Sequence, residues 1–153
     1  MKTYVASSLV VLSLSAVQAQ AATGTADALM NVVTGLAVVN NSNLIFDEAI
    51  AGSPAQTVDA DSTETDSNAS FSISGQAGRA ITVNLPADGT VIMTNGNGSS
   101  DDQIAVNSFT SNPLAAIDSN GNAELYVGAT RDALSPTQNG GSYSATFNVE
   151  VIY

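Results

Sequence analysis

From Ser142 to Tyr153 the chain alternates without a break. Tyr143, Ala145, Phe147, Val149, Val151 and Tyr153 form one face, while Ser142, Ser144, Thr146, Asn148, Glu150 and Ile152 form the other, polar in all but its last position. A period of two cannot sit on a helix, whose period is 3.6, so the run dictates a half-buried strand of about ten residues. A slip of one residue would turn the apolar face to solvent, which fixes the register. Gly140-Gly141 leads into it.

The same period recurs along the chain. Ala26, Ala28, Met30, Val32, Thr34, Leu36 and Val38 occupy successive even positions, which predicts a first strand region over these residues. Further short strands are expected at Ala69–Ser74, Ile81–Leu85, Thr90–Thr94, Ile104–Phe109 and Ala123–Val127. Turn signals separate them: Gly52-Ser53-Pro54, Gly75 to Gly78, Asp88-Gly89, Asn95-Gly96-Asn97-Gly98 and Asn120-Gly121. No window of helical length keeps an unbroken i, i+3, i+4 stripe. Short strands at this spacing predict an all-β, antiparallel β-sandwich, with the polar stretch Asp59–Asn68 as a surface loop.

The first segment reads differently. Lys2 precedes an uncharged apolar and small-residue run from Tyr4 to Val17, and Ala19-Gln20-Ala21 supplies a small-x-small cleavage pattern. A membrane anchor needs about 20 apolar residues, more than stand here. The expected organisation is a secretory signal at 1–21, an N-terminal extension at 22–31 and a sandwich domain at 32–153. With Lys2 gone, Arg79 and Arg131 face 14 Asp and Glu, a net charge of −12.

Composition narrows the chemistry. The sequence has no Cys and no His, which removes disulfides, thiol and imidazole catalysis and the usual zinc and haem ligands. Serine nucleophiles would lack a His or Lys base, and no carboxylate pair stands in a distinctive motif, so the expectation is no enzyme and no cofactor. So negative a chain is repelled by nucleic acid and anionic membranes. Asp118, Asn120 and Asn122 have the 1, 3, 5 spacing of a calcium loop, and Asn97–Asp102 is also rich in oxygen ligands. Gly121 falls at position 4 of such a loop and no Glu at position 12, so a hairpin turn on Asn120-Gly121 is the favoured reading. A carbohydrate- or surface-binding module would need exposed aromatic platforms; Tyr126 is the one aromatic expected to face outward.

Three stretches carry a resemblance when taken in order. Asn43-Leu44-Ile45-Phe46-Asp47 leads to Gly52-Ser53-Pro54 and Thr57-Val58. Phe71-Ser72-Ile73-Ser74-Gly75-Gln76-Ala77-Gly78 leads to Ile81-Thr82-Val83-Asn84-Leu85-Pro86. Gly140 to Tyr153 closes the series. Together they resemble a family of secreted bacterial β-sandwich domains of unknown function, similar to spore-coat-U-type proteins and to subunits of archaic chaperone–usher pili.

The resemblance implies an incomplete Ig-like sandwich whose final strand is lent, first by a periplasmic chaperone and then by the N-terminal extension of the next subunit. The donor would be the extension, offering Ala26, Ala28 and Met30. The acceptor edge would be Tyr143, Ala145, Phe147, Val149, Val151 and Tyr153. The implied protein is a pilin-like structural subunit with a role in adhesion or biofilm. It would pass through the periplasm, meet an outer-membrane usher and reach the cell surface as a head-to-tail homopolymer, without inserting in the membrane. Alternation alone also fits a first strand that folds back into its own domain, and a secreted monomeric binding module, calcium-dependent or not, is the alternative function.

Overall fold

Eight strands form among the described residues: β1 (Ala37–Ser42), β2 (Gln56–Val58), β3 (Ala69–Ser74), β4 (Thr82–Asn84), β5 (Val91–Thr94), β6 (Gln103–Ser111), β7 (Asn122–Arg131) and β8 (Glu150–Ile152). The computed structural model describes Thr23 and residues 25–153, so the expected signal segment lies outside the described residues. The larger compact unit runs from Val32 to Tyr153.

Long, apolar-alternating β7 is the spine. β6 pairs along one edge of it, while β3 and β2 share the other edge end to end, β3 against Asn122–Val127 and β2 against Ala129–Arg131. β1 adds outside β3 and β5 outside β6, giving the order β1-β3-β7-β6-β5 with β2 on β7. β4 and β8 form a second, two-stranded sheet. All ladders are antiparallel, the described residues contain no α-helix, and the sheets curl over one core as a β-sandwich.

The inward face of β7 supplies the centre of that core. Leu125 and Val127 are fully buried, and each contributes on the order of 1.5–3 kcal/mol by leaving water. Ile73, Ile81 and Ile117 pack with them, and a neighbouring group of Val91, Val106 and Ala129 extends the core toward β5. Phe147 touches both groups. Its ring lies 5.1 Å from Phe109 and 6.4 Å from Phe71, the latter edge-on.

Gly128 marks the junction where β3 hands over to β2. A Cβ built there would collide with Val58 O and stand 2.6 Å from Ala60 N, because the chain leaving β2 crosses directly over it. The turn glycines behave as the sequence implies: Gly52, Gly78, Gly89, Gly96, Gly98 and Gly121 all take positive φ. The Asp59–Asn68 loop is closed by buried Asn68, whose Oδ1 accepts from Thr65 N (2.9 Å) and whose Nδ2 donates to Thr63 O (3.0 Å).

Two strand expectations are corrected. The even-numbered run from Ala26 to Val38 forms no strand until Ala37; among the described residues, those before it have no ladder partner and are mostly exposed. The run from Tyr143 to Tyr153 keeps its alternating burial from Thr146 to Ile152, but it is in a ladder only at its ends. Ser144 exchanges two backbone hydrogen bonds with Thr94, and β8 pairs with β4. Between them Ala145–Val149 is extended beside open space, and extended chain without a neighbour makes no ladder.

Candidate functional site

That open space is a groove of about 1190 Å³ between two rims. Its floor is apolar, made by Phe71, Met93, Ile104 and Phe147. One rim is Leu44–Ala51, the continuation of β1; the other is Gly140–Phe147.

Backbone parity decides what the rims offer. Ser144 bonds to β5, so in an extended chain the even residues face β5 and β4, while the N–H and C=O of Ala145 and Phe147 face the groove. On the first rim Ile45 N–H donates to Ser67 O (2.8 Å) and Asp47 N–H to Gln56 Oε1 (3.1 Å), so Leu44 and Phe46 turn their backbone groups to the groove. Ala145–Val149 makes no backbone hydrogen bond to any described residue. The slot therefore presents two unpaired edges over an apolar floor, the arrangement that strand addition fills. Following the antiparallel ladders from β1 to β5 and on to Ser144, the rims run in opposite directions. An inserted strand would pair parallel with one and antiparallel with the other.

A polar network anchors the second rim. Tyr143 OH donates to Asn139 O (2.6 Å) and accepts from Gln138 Nε2 (3.0 Å). Beneath it the buried Asp102 carboxylate accepts from Ser99 Oγ (2.6 Å), Ser99 N (3.1 Å), Asn95 Nδ2 (2.7 Å) and Asn139 Nδ2 (2.8 Å). These hydrogen bonds, from the Ser99 hydroxyl first and then from Asn95 and Asn139, hold its carboxyl well below the usual carboxylate range. Asn139 thus ties the Asn95–Asp102 turn to the start of the rim. The spacing Ser99-x-x-Asp102 is a capping-box signal, the one sequence cue to this hub.

Asp118 behaves similarly on the far hairpin. Its Oδ1 accepts from Asn122 N and Asn120 N, both at 2.8 Å, and the Asn122 bond above all lowers its carboxyl. Asp118, Asn120 and Asn122 are thus held in a closed Asx-type turn, with Gly121 at φ 86°. Among the described residues no group of three or more acidic side chains is placed to hold a metal ion. Tyr126 sits half-buried on β7 opposite Ser70.

Both shifted carboxylates give stability that is complete above the unfolded carboxylate pKa of about 3.9 and lost as pH falls toward their lower folded values. Melting temperature is therefore expected to be flat from about pH 8 to pH 5 and to fall below about pH 4. Thermal melts across that range check this. Asp102→Asn should flatten the acid limb, and an unchanged limb in that variant would remove Asp102 as its source.

The structure brings Tyr143, Ala145, Phe147, Val149, Val151 and Tyr153 onto one extended segment, and it places Ala26, Ala28 and Met30 on an exposed, strandless stretch. The profile of a family described as Domain of unknown function (DUF4402) matches residues 47–153. The chain belongs to this family. No curated protein and no solved structure matches the chain. The DUF4402 match contains β2 through β8, the Asp102 hub and the whole second rim, whereas β1, Leu44 and Phe46 precede it. Membership agrees with the expected domain of unknown function; the likeness to spore-coat-U-type proteins and chaperone–usher pilins rests on the sequence motifs alone. Among the described residues of this DUF4402 protein no helix is long and apolar enough to cross a membrane.

Proposed function

We propose that the protein is a structural subunit of a bacterial surface filament, joined to its neighbours by strand donation. The observation that carries this reading is the groove with two unpaired backbone edges, in a molecule whose own N-terminal segment is apolar and exposed. Leu29 is 93% and Met30 86% exposed, a state that costs solubility unless the segment is covered. The extension of a second copy enters the slot between Leu44–Ala51 and Gly140–Phe147, with Ala26, Ala28 and Met30 as the side chains offered to the floor. Such contacts are heterologous and do not close, so they extend into a fibre. With no Cys in the chain, cohesion rests on backbone pairing and burial.

On this reading the subunit is secreted, held in the periplasm by a chaperone that fills the same slot, passed through an outer-membrane usher and displayed for adhesion or biofilm. Its role is structural rather than catalytic. Electron microscopy of sheared surface material, with a denaturing gel run without boiling, tests it. Fibres and a heat-sensitive ladder of multimers are expected. A monodisperse monomer that is retained on a carbohydrate column would replace this reading with the binding-module one.

A further inference from the structure

Both partners of that assembly meet at one residue. Tyr153 follows β8, the strand that continues the Ala145–Val149 edge, and its hydroxyl donates to Thr34 O (2.6 Å) while accepting from Gln76 N (2.6 Å). Thr34 N–H donates in turn to Gln76 Oε1 (3.3 Å). Arg79 lies over the Tyr153 ring, 4.9 Å from its centroid, and Leu36 packs against the core alongside. Gly75 leaves room here: a Cβ would stand 2.6 Å from Tyr153 Oη and 2.8 Å from Leu36 Cδ2, so the two side-chain ends would have to shift. Thr34 is the root of the N-terminal extension, so the root is clamped by the far end of the groove's own edge.

We propose that Tyr153 couples the two ends of the assembly site: filling the groove of a subunit orders the root of the extension that the same subunit offers onward. This rests on the strand-donation reading and adds its regulation. The physical route is short. In the empty groove the backbone of the segment from Ala145 to Tyr153 is paired, among the described residues, only through the three β8 pairs. A strand laid against Ala145 and Phe147 adds a second ladder to the same segment, which reduces its motion and that of the ring at its end. The clamp on Thr34 then persists for longer. Ordering paid in advance favours the next binding step, so a subunit that has accepted a strand is a better donor than one that has not. Elongation would then outrun nucleation without any chemical change.

The test uses the mature chain carrying Leu29→Asp and Met30→Asp together, so that it stays monomeric whichever face is offered. A synthetic peptide of residues 22–33 serves as the groove probe. Its binding is followed by titration, and amide exchange at Thr34 is followed separately by NMR. With the peptide bound, Thr34 exchange should slow by about 10-fold, the scale of an ordinary coupling between two sites. Tyr153→Phe keeps the ring over Arg79 but removes the hydroxyl; the peptide should still bind, and the slowing at Thr34 should shrink below about twofold on the same scale. Gly75→Ala should act like Tyr153→Phe by displacing the hydroxyl while leaving it present. Slowing in both variants as large as in the Tyr153 protein, or none in the Tyr153 protein with peptide bound, overturns the coupling and leaves strand donation standing. A peptide that does not bind at all removes strand donation and the coupling with it.

Discussion

Deleting residues 22–31 is expected to leave a secreted, folded monomer and to abolish fibres and multimer ladders. The described part of this segment is strandless and exposed, so its loss removes no core contact and the melting temperature of the remaining domain should hold. On the strand-donation reading, what disappears is the donor. Each apolar side chain that the donated strand would seat in the groove contributes on the order of 1.5–3 kcal/mol, so even the single change Met30→Asp should weaken subunit association by about ten- to a hundredfold, before the cost of a buried charge is added. Size-exclusion chromatography and electron microscopy of the deletion read the outcome directly. Fibres of normal length from the deleted chain would show that the groove is filled from elsewhere.

The largest effect on folding is expected at Gly128. Gly128→Ala leaves an ordinary backbone conformation but places a methyl group against the carbonyl of Val58 and the backbone of Asp59 and Ala60. Backbone cannot rotate aside as a side chain can, so β2 must lift from β7. The cost should reach about 3 kcal/mol, the upper end for overpacking. That corresponds to a melting temperature lower by about 10 °C for a domain of this size. Gly35→Ala is the control: nothing stands within 4 Å of its Cβ. It should be neutral or slightly stabilising through the unfolded chain. Equal melting temperatures for the two variants would mean that β2 docks more loosely than the structure shows.

The sequence exposes the ladders better than it exposes the gaps. β3 coincides with the run Ala69–Ser74 because its flanks are polar or glycine and its alternation is clean. β7 continues to Arg131, beyond the expected end at Val127, because Gly128 and Arg131 look like a break. Gly128 is there for clearance, and Arg131 is inward but satisfied by Pro54 O and Asp132 O. Alternation before Ala37 was equally clean, yet pairing is a property of two segments and one segment's pattern cannot name its partner. For the same reason the alternating run from Tyr143 to Tyr153 was legible, whereas the rim opposite it was not. Leu44 and Phe46 face the groove because Ile45 happens to bond Ser67, a long-range fact with no local signature. Asp102 stands in a stretch that reads only as rich in oxygen ligands; one of the donors that fix it, Asn139, is distant in sequence.

The collinearity of Thr34 with the β1 ladder has a mechanical consequence. β1 pairs with β3 from Ala37↔Ser74 to Ser42↔Ser70, and the Thr34–Gln76 bond continues the same line. A pull on the extension along that line strains the β1 ladder in shear, so its bonds bear the load together instead of parting one by one as a peeled strand would. The clamp at Thr34 stands first in the force path, ahead of every ladder bond. A subunit built this way resists tension at its junction with β3, and under load it would yield at the root before it unravelled at the core.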